Sequence, residues 1–297
     1  VHEDWVFRYH SQSNTVDSIQ FPVENIVGLT VSADGQRVYV ACIDSVLVMD
    51  TNTDQIAGVI PFASWAGVSV SPDNQLIAVG GDDLFIIRAD DYSVVFHDTS
   101  RVSTQSGHFS RDSKRYFAPF TPVPQEHSLR SLYSLHFGSD TVVTRKAFAG
   151  SGVGTVVPIL DATRLLIYFK HDTFVSSFAV YDIDDDAIIF QDVQIPGAGT
   201  IVVTPDERFA FYSNPGTMLV GPPPSSAFTC FDISANSIHA TISTLGVVNG
   251  NDSLFLPIGD LAITADGQRL VGAAPDGFDV LVSLDIPRLQ IVDYYEL

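Results

Sequence analysis

Three residues with side chains that can do acid-base or metal chemistry, Glu24, His108 and His171, lie at the edges of β-rich runs. An imidazole and a carboxylate from separate segments can form an open site for a divalent cation, or can act as general acid and base. We take these three residues as the candidate catalytic set, with a divalent cation as an optional cofactor. The simpler alternative is that each histidine is a hydrogen-bonded structural residue.

Five further residues in predicted loops are candidates for ligand binding: Trp65, Lys170, Asp44, Asp260 and His127. Trp65 can stack on a ligand, or can pack in the core. Lys170 is one of only three lysines, and it can hold an anionic substrate or pair with one of the many aspartates. His127 lies in the proline-rich run "PFTPVPQEHSLR", where it belongs to a lid or is simply solvated.

Most sequence signatures of known chemistry are absent. The chain has no G-x-S-x-G elbow, no H-E-x-x-H, no phosphate-binding loop and no Cys/His spacing for zinc. "GSGVGT" resembles part of a dinucleotide fingerprint, but a β-rich run and not a helix follows it. We therefore expect no nucleotide or flavin, and two tryptophans without a repeated aromatic motif disfavour a multivalent lectin.

A repeated segment must position these residues. "VSADGQRVYVA" (31–41) returns almost unchanged as "ITADGQRLVGA" (263–273). In both copies Asp-Gly separates two alternating apolar runs, which predicts a tight β-hairpin. Four weaker copies lie between them, and the acidic turn residues of all six are Asp34, Asp73, Asp112, Asp161, Asp206 and Asp266.

A second hairpin follows each copy, as in "SVLVMDTNTDQIAGVIPF" (45–62), so that one repeat contains four strands. No run with helical periodicity interrupts them. A repeat of roughly 40 to 50 residues with four antiparallel strands is typical of a β-propeller blade. We therefore predict an all-β chain with a single β-propeller domain over residues 1–297.

The repeat resembles the YVTN-type blade, on the strength of "RVYVA" (37–41) and "VLVMDTNTDQ" (46–55) in the first copy. The resemblance implies a propeller fold and a secreted or cell-surface location. It does not select one function, because propellers of this type include surface proteins, lactonase-like and lyase-like enzymes, and electron-transfer subunits.

The number of blades is left as six or seven. Chain length favours six blades with a spare hairpin, while the resemblance slightly favours a seventh blade assembled from "WVFRYHSQSNTVDSIQF" (5–21) and "VLVSLDIPRLQIVDYYEL" (280–297). In either case we expect strands from the two termini to share one sheet and so close the ring.

Composition limits the partners. The formal charge is −20, with 15 Lys and Arg against 35 Asp and Glu, which disfavours nucleic acid and anionic membranes as partners, so we expect neither. No apolar run is long enough to span a bilayer, and the chain starts at Val1 without a hydrophobic leader. Cys42 and Cys230 are expected to be buried thiols without a disulfide. We expect a monomer.

In a propeller blade, the loop that enters the first strand and the loop between the second and third strands lie at the same end. Ligand sites usually gather there, around the central channel. The favoured function is a binding module that recognises a small molecule, a glycan or a protein at that face. The alternative is a small-molecule enzyme, either a lyase, an isomerase or a lactone hydrolase, that uses the candidate catalytic set.

Overall fold

The structure is a computed structural model, and it describes most but not all of the chain. The described residues are 5–10, 12–13, 15–23, 25–62, 67–99, 101–102, 107–121, 131–137, 141–148, 151–171, 176–195, 200–214, 227–243, 260–273 and 280–296. All of the regular structure in these ranges is β-strand. No helix in them is long and apolar enough to cross a membrane.

Six antiparallel sheets follow one another along the described chain, and each uses consecutive strands in sequence order. The strands of the first three, called blades one to three, are β3 (Ile26–Val31), β4 (Arg37–Cys42), β5 (Val46–Asp50) and β6 (Gln55–Ile60); β7 (Val68–Val70), β8 (Leu76–Gly80), β9 (Leu84–Arg88) and β10 (Val94–Asp98); and β11 (Arg101–Val102), β12 (His108–Phe109), β13 (Arg115–Thr121), β14 (Ser131–His136) and β15 (Val142–Lys146). In blade three, β11 and β12 both pair with β13, so the innermost strand is interrupted.

Blades four to six have the same order. Their strands are β16 (Gly152–Ile159), β17 (Arg164–Lys170), β18 (Ser176–Asp182) and β19 (Ala187–Ile195); β20 (Ile201–Val203), β21 (Phe209–Asn214), β22 (Ala227–Asp232) and β23 (Ser237–Ser243); and β24 (Asp260–Ile263), β25 (Arg269–Ala273), β26 (Val280–Asp285) and β27 (Gln290–Glu296). This arrangement confirms an all-β propeller fold with six four-stranded blades in the described chain. The seventh blade is not shown.

The two termini do not share a sheet, contrary to the prediction. Strands β1 (Trp5–His10) and β2 (Thr15–Gln20) pair only with each other among the described strands, and β27 pairs with β26. The sequence between β1 and β2 is short enough for them to form a hairpin of their own. In that hairpin, each strand pairs the backbone N–H and C=O groups of one edge with the other strand. Side chains still meet, because the rings of Tyr9 and Tyr295 lie 5.7 Å apart.

The repeated "S/T-x-D" of the first hairpin builds a hydrogen-bonded turn. In blade one, Ser32 Oγ donates to Asp34 Oδ1 at 2.6 Å and accepts from the Arg37 amide at 2.9 Å, while the Gln36 amide donates to Asp34 Oδ1 at 3.0 Å. Gly35 completes the turn with φ of +70°, as the Asp-Gly pair predicted. The hydroxyl thus satisfies backbone groups that the hairpin leaves open.

Four other blades repeat this turn with Ser or Thr at its first position: Ser71 with Asp73, Ser110 with Asp112, Thr204 with Asp206, and Thr264 with Asp266. Blade four differs, because Ile159 stands where the hydroxyl would be. There Leu160, Asp161 and Ala162 all have positive φ, and the turn is closed by the Ala162 amide donating to the Ile159 carbonyl at 3.0 Å. The acidic turn residues are therefore mainly structural.

The chain divides into two compact units. The first contains residues 1–8, 18–167 and 182–185, and the second contains residues 9–17, 168–181 and 186–297. In the first unit, side chains from facing sheets share each core; Tyr39 and Val48 of blade one pack with Ile77 and Val79 of blade two. In the second unit, Phe228 of blade five packs in the same way in the core shared with blade six. Burial therefore depends on neighbouring blades.

Both cysteines are buried free thiols, as predicted. Burial raises the pKa of the Cys230 thiol to about 12, so the thiol is protonated at neutral pH. Burial also raises the pKa of the Cys42 thiol. Neither thiol has the exposed, thiolate-favouring surroundings of a reactive cysteine.

Candidate functional site

Each blade has two chemically different ends. We call the end at which the chain enters the first strand, and passes from the second strand to the third, the entry end. The opposite end carries the "S/T-x-D" turn and the turn between the third and fourth strands, and we call it the turn end. The sequence predicts that the candidate site residues belong to the entry end.

His108 begins β12 of blade three and is held by a neighbouring blade. Its Nδ1 lies 2.9 Å from the carbonyl oxygen of Val156 on β16. A carbonyl only accepts hydrogen bonds, so Nδ1 carries the proton and donates it. Burial lowers the pKa of His108, and the hydrogen bond to Val156 opposes part of that shift. At neutral pH the imidazole is therefore uncharged, and its Nε2 presents a lone pair.

His171 follows β17 of blade four and lies in a different hydrogen-bond network. Its Nε2 is 2.8 Å from Ser177 Oγ, and the Gln191 amide donates to the same oxygen at 3.0 Å. Ser177 is fully buried, so its hydroxyl cannot act as an accessible nucleophile. The serine and the glutamine instead fix the orientation of the His171 ring.

Three candidate binding residues lie where the sequence places them, at the entry end. Asp44 and Lys170 are exposed, in the loop after β4 and at the end of β17. Asp260 begins β24 and its Oδ1 accepts a hydrogen bond from Thr200 Oγ1 at 3.0 Å. Thr200 directly precedes β20, so the residues that enter blades five and six contact each other. One ligand can therefore touch side chains of more than one blade.

The other three candidates, Glu24, Trp65 and His127, lie outside the described residues. The candidate catalytic set is therefore not assembled by the part of the chain that the structure describes. Within these same ranges, no three His, Cys, Asp or Glu side chains are close enough together to hold one metal ion. A site for a divalent cation remains a prediction that depends on Glu24.

A tyrosine fills the space beside Gly107, the residue before His108. A methyl group added to Gly107 would overlap the Tyr116 hydroxyl and lie 2.8 Å from the Ala118 methyl. Tyr116 is fully buried, and its hydroxyl has no hydrogen-bond partner among the described residues. Burial raises the pKa of Tyr116 well above the usual value, so the phenol stays protonated. Gly107 is thus required by packing.

The sequence prediction missed a groove at the turn end of blades five and six. It has a volume of about 420 Å³ and is lined by turn residues of both blades, with His239 of β23 at one side. No chemical motif marks it. The available signal is that Phe209 stands where blade one has Arg37, and that Gly267 stands where blades two and three have Asn74 and Ser113.

Comparison with known proteins identifies the fold alone. No family model and no curated protein matches the chain. Hydrazine synthase of Kuenenia stuttgartiensis superposes with a TM-score of 0.67 at 14% identity, covering 93% of this chain and 88% of that chain. The Cps50 (Swd1) β-propeller domain of Myceliophteria thermophila gives a TM-score of 0.69 at 13% identity, covering 92% and 86% respectively.

A third structure, the dihydro-heme d1 dehydrogenase NirN in complex with DHE, superposes with a TM-score of 0.63 at 16% identity. The match covers 99% of this chain and 71% of that chain. These likenesses support the β-propeller fold. The YVTN-type repeat family is not confirmed by any family match.

Proposed function

We propose that this protein is a binding module, which recognises a small molecule, a glycan or a protein at the entry end of its blades and catalyses no reaction. The observation that carries the proposal is the hydrogen bond between Thr200 and Asp260, which joins the residues that enter two neighbouring blades. Exposed side chains of both charges, including Asp44 and Lys170, lie at the same ends of their blades. Polar groups contributed by several loops are typical of a ligand-binding surface.

The charge of the chain narrows the partner. A formal charge of −20 repels phosphate backbones and anionic lipid surfaces, so the ligand is neither nucleic acid nor an acidic membrane. We propose that the protein acts as a monomer and as one propeller domain over residues 1–297.

The second candidate function is a small-molecule enzyme, a lyase, an isomerase or a lactone hydrolase. The observation in its favour is His108, whose neutral imidazole is fixed with Nδ1 protonated and Nε2 available as a base. In this alternative Glu24 and His171 complete the set, with or without a divalent cation. The similar structures do not decide the matter, because two are named as enzymes and one as a propeller domain.

The two functions are distinguished by replacing His108 with asparagine. The asparagine amide can take the place of Nδ1 and donate to the Val156 carbonyl, while the Nε2 lone pair is lost. His108→Ala is the matched variant that loses both. His108→Asn should retain the wild-type melting temperature, because its hydrogen bond to Val156 is kept. If the protein is a binding module, neither His108→Asn nor the wild type hydrolyses δ-valerolactone faster than buffer does.

A wild-type lactonase activity that His108→Asn abolishes would overturn the binding proposal in favour of the enzyme. Binding itself is tested on an array of purified oligosaccharides, with Lys170→Gln and Asp260→Asn as entry-end variants. Saturable binding that both variants weaken supports the proposal. If no oligosaccharide binds, the glycan option is removed and the ligand is a protein or a small molecule.

A further inference from the structure

The groove at the turn end of blades five and six lies between two turns that lack the contacts joining the turns of blades one to three. In blades one and two the turns are linked, because the Ala33 amide donates to Asn74 Oδ1 at 2.7 Å. In blades two and three, the Asp73 amide donates to Ser113 Oγ at 3.2 Å. Asn74 and Ser113 both occupy the position after the turn aspartate. Blade six has Gly267 there, which has no side chain to make the link.

The second change is at the sixth position of the turn. In blade one this position is Arg37, whose guanidinium donates to the Ala89 carbonyl of blade two at 3.3 Å. In blade five the position is Phe209, which cannot make such a bridge. A groove of about 420 Å³ opens where the link and the bridge are both lost, a size that suits a small ligand.

A cation without a hydrogen-bond acceptor lines this groove. Arg208 is exposed, and its guanidinium stacks over the Phe209 ring at 4.8 Å from the ring centre. It makes no hydrogen bond to any side chain or carbonyl of the described residues. His239 lies on another side of the same ring, with 5.2 Å between the ring centres. A stacked guanidinium keeps its planar fork free to receive a carboxylate through two hydrogen bonds.

Two carboxylates also line the groove, those of Asp206 and Asp266. In each, Oδ1 is used by the turn, where it accepts from a threonine hydroxyl and a backbone amide. The hydroxyl of Thr204 or Thr264 is the largest influence on each carboxylate, and it lowers the pKa. Both carboxylates are ionised at neutral pH, and each has an Oδ2 that makes no hydrogen bond to a described residue.

The groove therefore presents charges of both signs beside apolar surface. Pro287 and Leu289 of the turn between β26 and β27 also line the groove, as Phe209 does. A simple anion would be repelled by the two aspartates, and a simple cation by Arg208. A zwitterion with an apolar side chain satisfies all three charges and covers the apolar wall.

We propose that this groove binds a free amino acid with an aromatic or aliphatic side chain. The carboxylate of the ligand binds Arg208, its ammonium group lies against Asp206 and Asp266, and its side chain packs on Pro287 and Leu289. This site is separate from the entry end and does not depend on the function proposed there.

The test is a titration of the protein with L-phenylalanine, followed by the resonances of the His239 ring. The matched ligands are 3-phenylpropionate, which lacks the ammonium group, and phenethylamine, which lacks the carboxylate. We expect saturable binding of L-phenylalanine, and at least about tenfold weaker binding of either analogue, the loss expected for one charge-assisted hydrogen bond. Equal affinity for an analogue, or a shift that never saturates, would overturn the proposal.

Two variants test the position of the site. Arg208→Gln removes the group that binds the ligand carboxylate. Gly267→Ser introduces the side chain that Ser113 provides in the link between blades two and three. The two places are comparable because a proline precedes the turn aspartate in both, Pro72 in blade two and Pro205 in blade five. Both variants should weaken binding about tenfold or more. Lys114→Gln is the control, because Lys114 holds the position of Arg208 in the turn of blade three. Melting temperatures close to that of the wild type would show that both variants are folded. Wild-type affinity for L-phenylalanine in both variants would contradict the assignment.

Discussion

Replacing Ser32 with alanine should destabilise the protein through the turn of blade one. The hydroxyl of Ser32 donates to Asp34 Oδ1 at 2.6 Å and accepts from the Arg37 amide at 2.9 Å, and Ser32 itself is 5% exposed. Alanine removes a hydrogen bond to a carboxylate and leaves a backbone amide without its partner. Each loss costs about 1–2 kcal/mol, so we expect a decrease of about 2–4 kcal/mol in the free energy of unfolding.

The measurement is urea denaturation of the wild type, Ser32→Ala and Ser32→Thr at pH 7. Threonine is the matched control, because Thr204 and Thr264 make the same bonds in blades five and six. Ser32→Thr should therefore stay within about 0.5 kcal/mol of the wild type. The reasoning would be refuted if Ser32→Ala were as stable as the wild type, or if threonine cost as much as alanine.

Three further outcomes follow from the described contacts. Gly107→Ala should cost about 1–3 kcal/mol by overlap with Tyr116 and Ala118. Tyr116→Phe should restore only part of that stability in a thermal-unfolding double-mutant cycle, because the ring carbon Cζ and the Ala118 methyl would still lie 2.8 Å from the added methyl group. The thiol of Cys230, with its pKa raised to about 12, should react with a thiol reagent at pH 8 only as fast as the protein unfolds. The folded pKa values of Asp206 and Asp266 lie below the ordinary 3.8, so their contribution to stability should be complete at neutral pH and should be lost as the pH falls below about 4. In an acid-denaturation curve, Asp266→Asn should therefore reduce the loss of stability below about pH 4.

The blades could be predicted because their signal is repeated and local. A hydroxyl, an aspartate and a residue with positive φ appear together at Ser32, Asp34 and Gly35, and one copy predicts the geometry of the others. The termini could not be predicted in the same way. The pairing of β1 with β2 rather than with β27 depends on which strands meet in three dimensions, and the sequence of either strand is compatible with both pairings.

The site was harder to predict than the fold because entry-end loops do not repeat. His108 was identified by residue type, but its carbonyl partner Val156 lies in the next blade and has no sequence signal. The packing of Tyr116 against Gly107 likewise has no sequence signal. The groove beside Arg208 could not be predicted because no chemical motif marks it, and Gly267 repeats the Asp-Gly turn of blade one.

The central claim, that the entry end binds a ligand without catalysis, is tested most directly by one comparison on the oligosaccharide array. The wild type is compared with Asp260→Asn at the entry end and Arg208→Gln at the turn end. For any oligosaccharide that binds saturably, our account predicts that Asp260→Asn weakens binding and that Arg208→Gln leaves it unchanged. Binding that Arg208→Gln abolishes and Asp260→Asn leaves intact would contradict it.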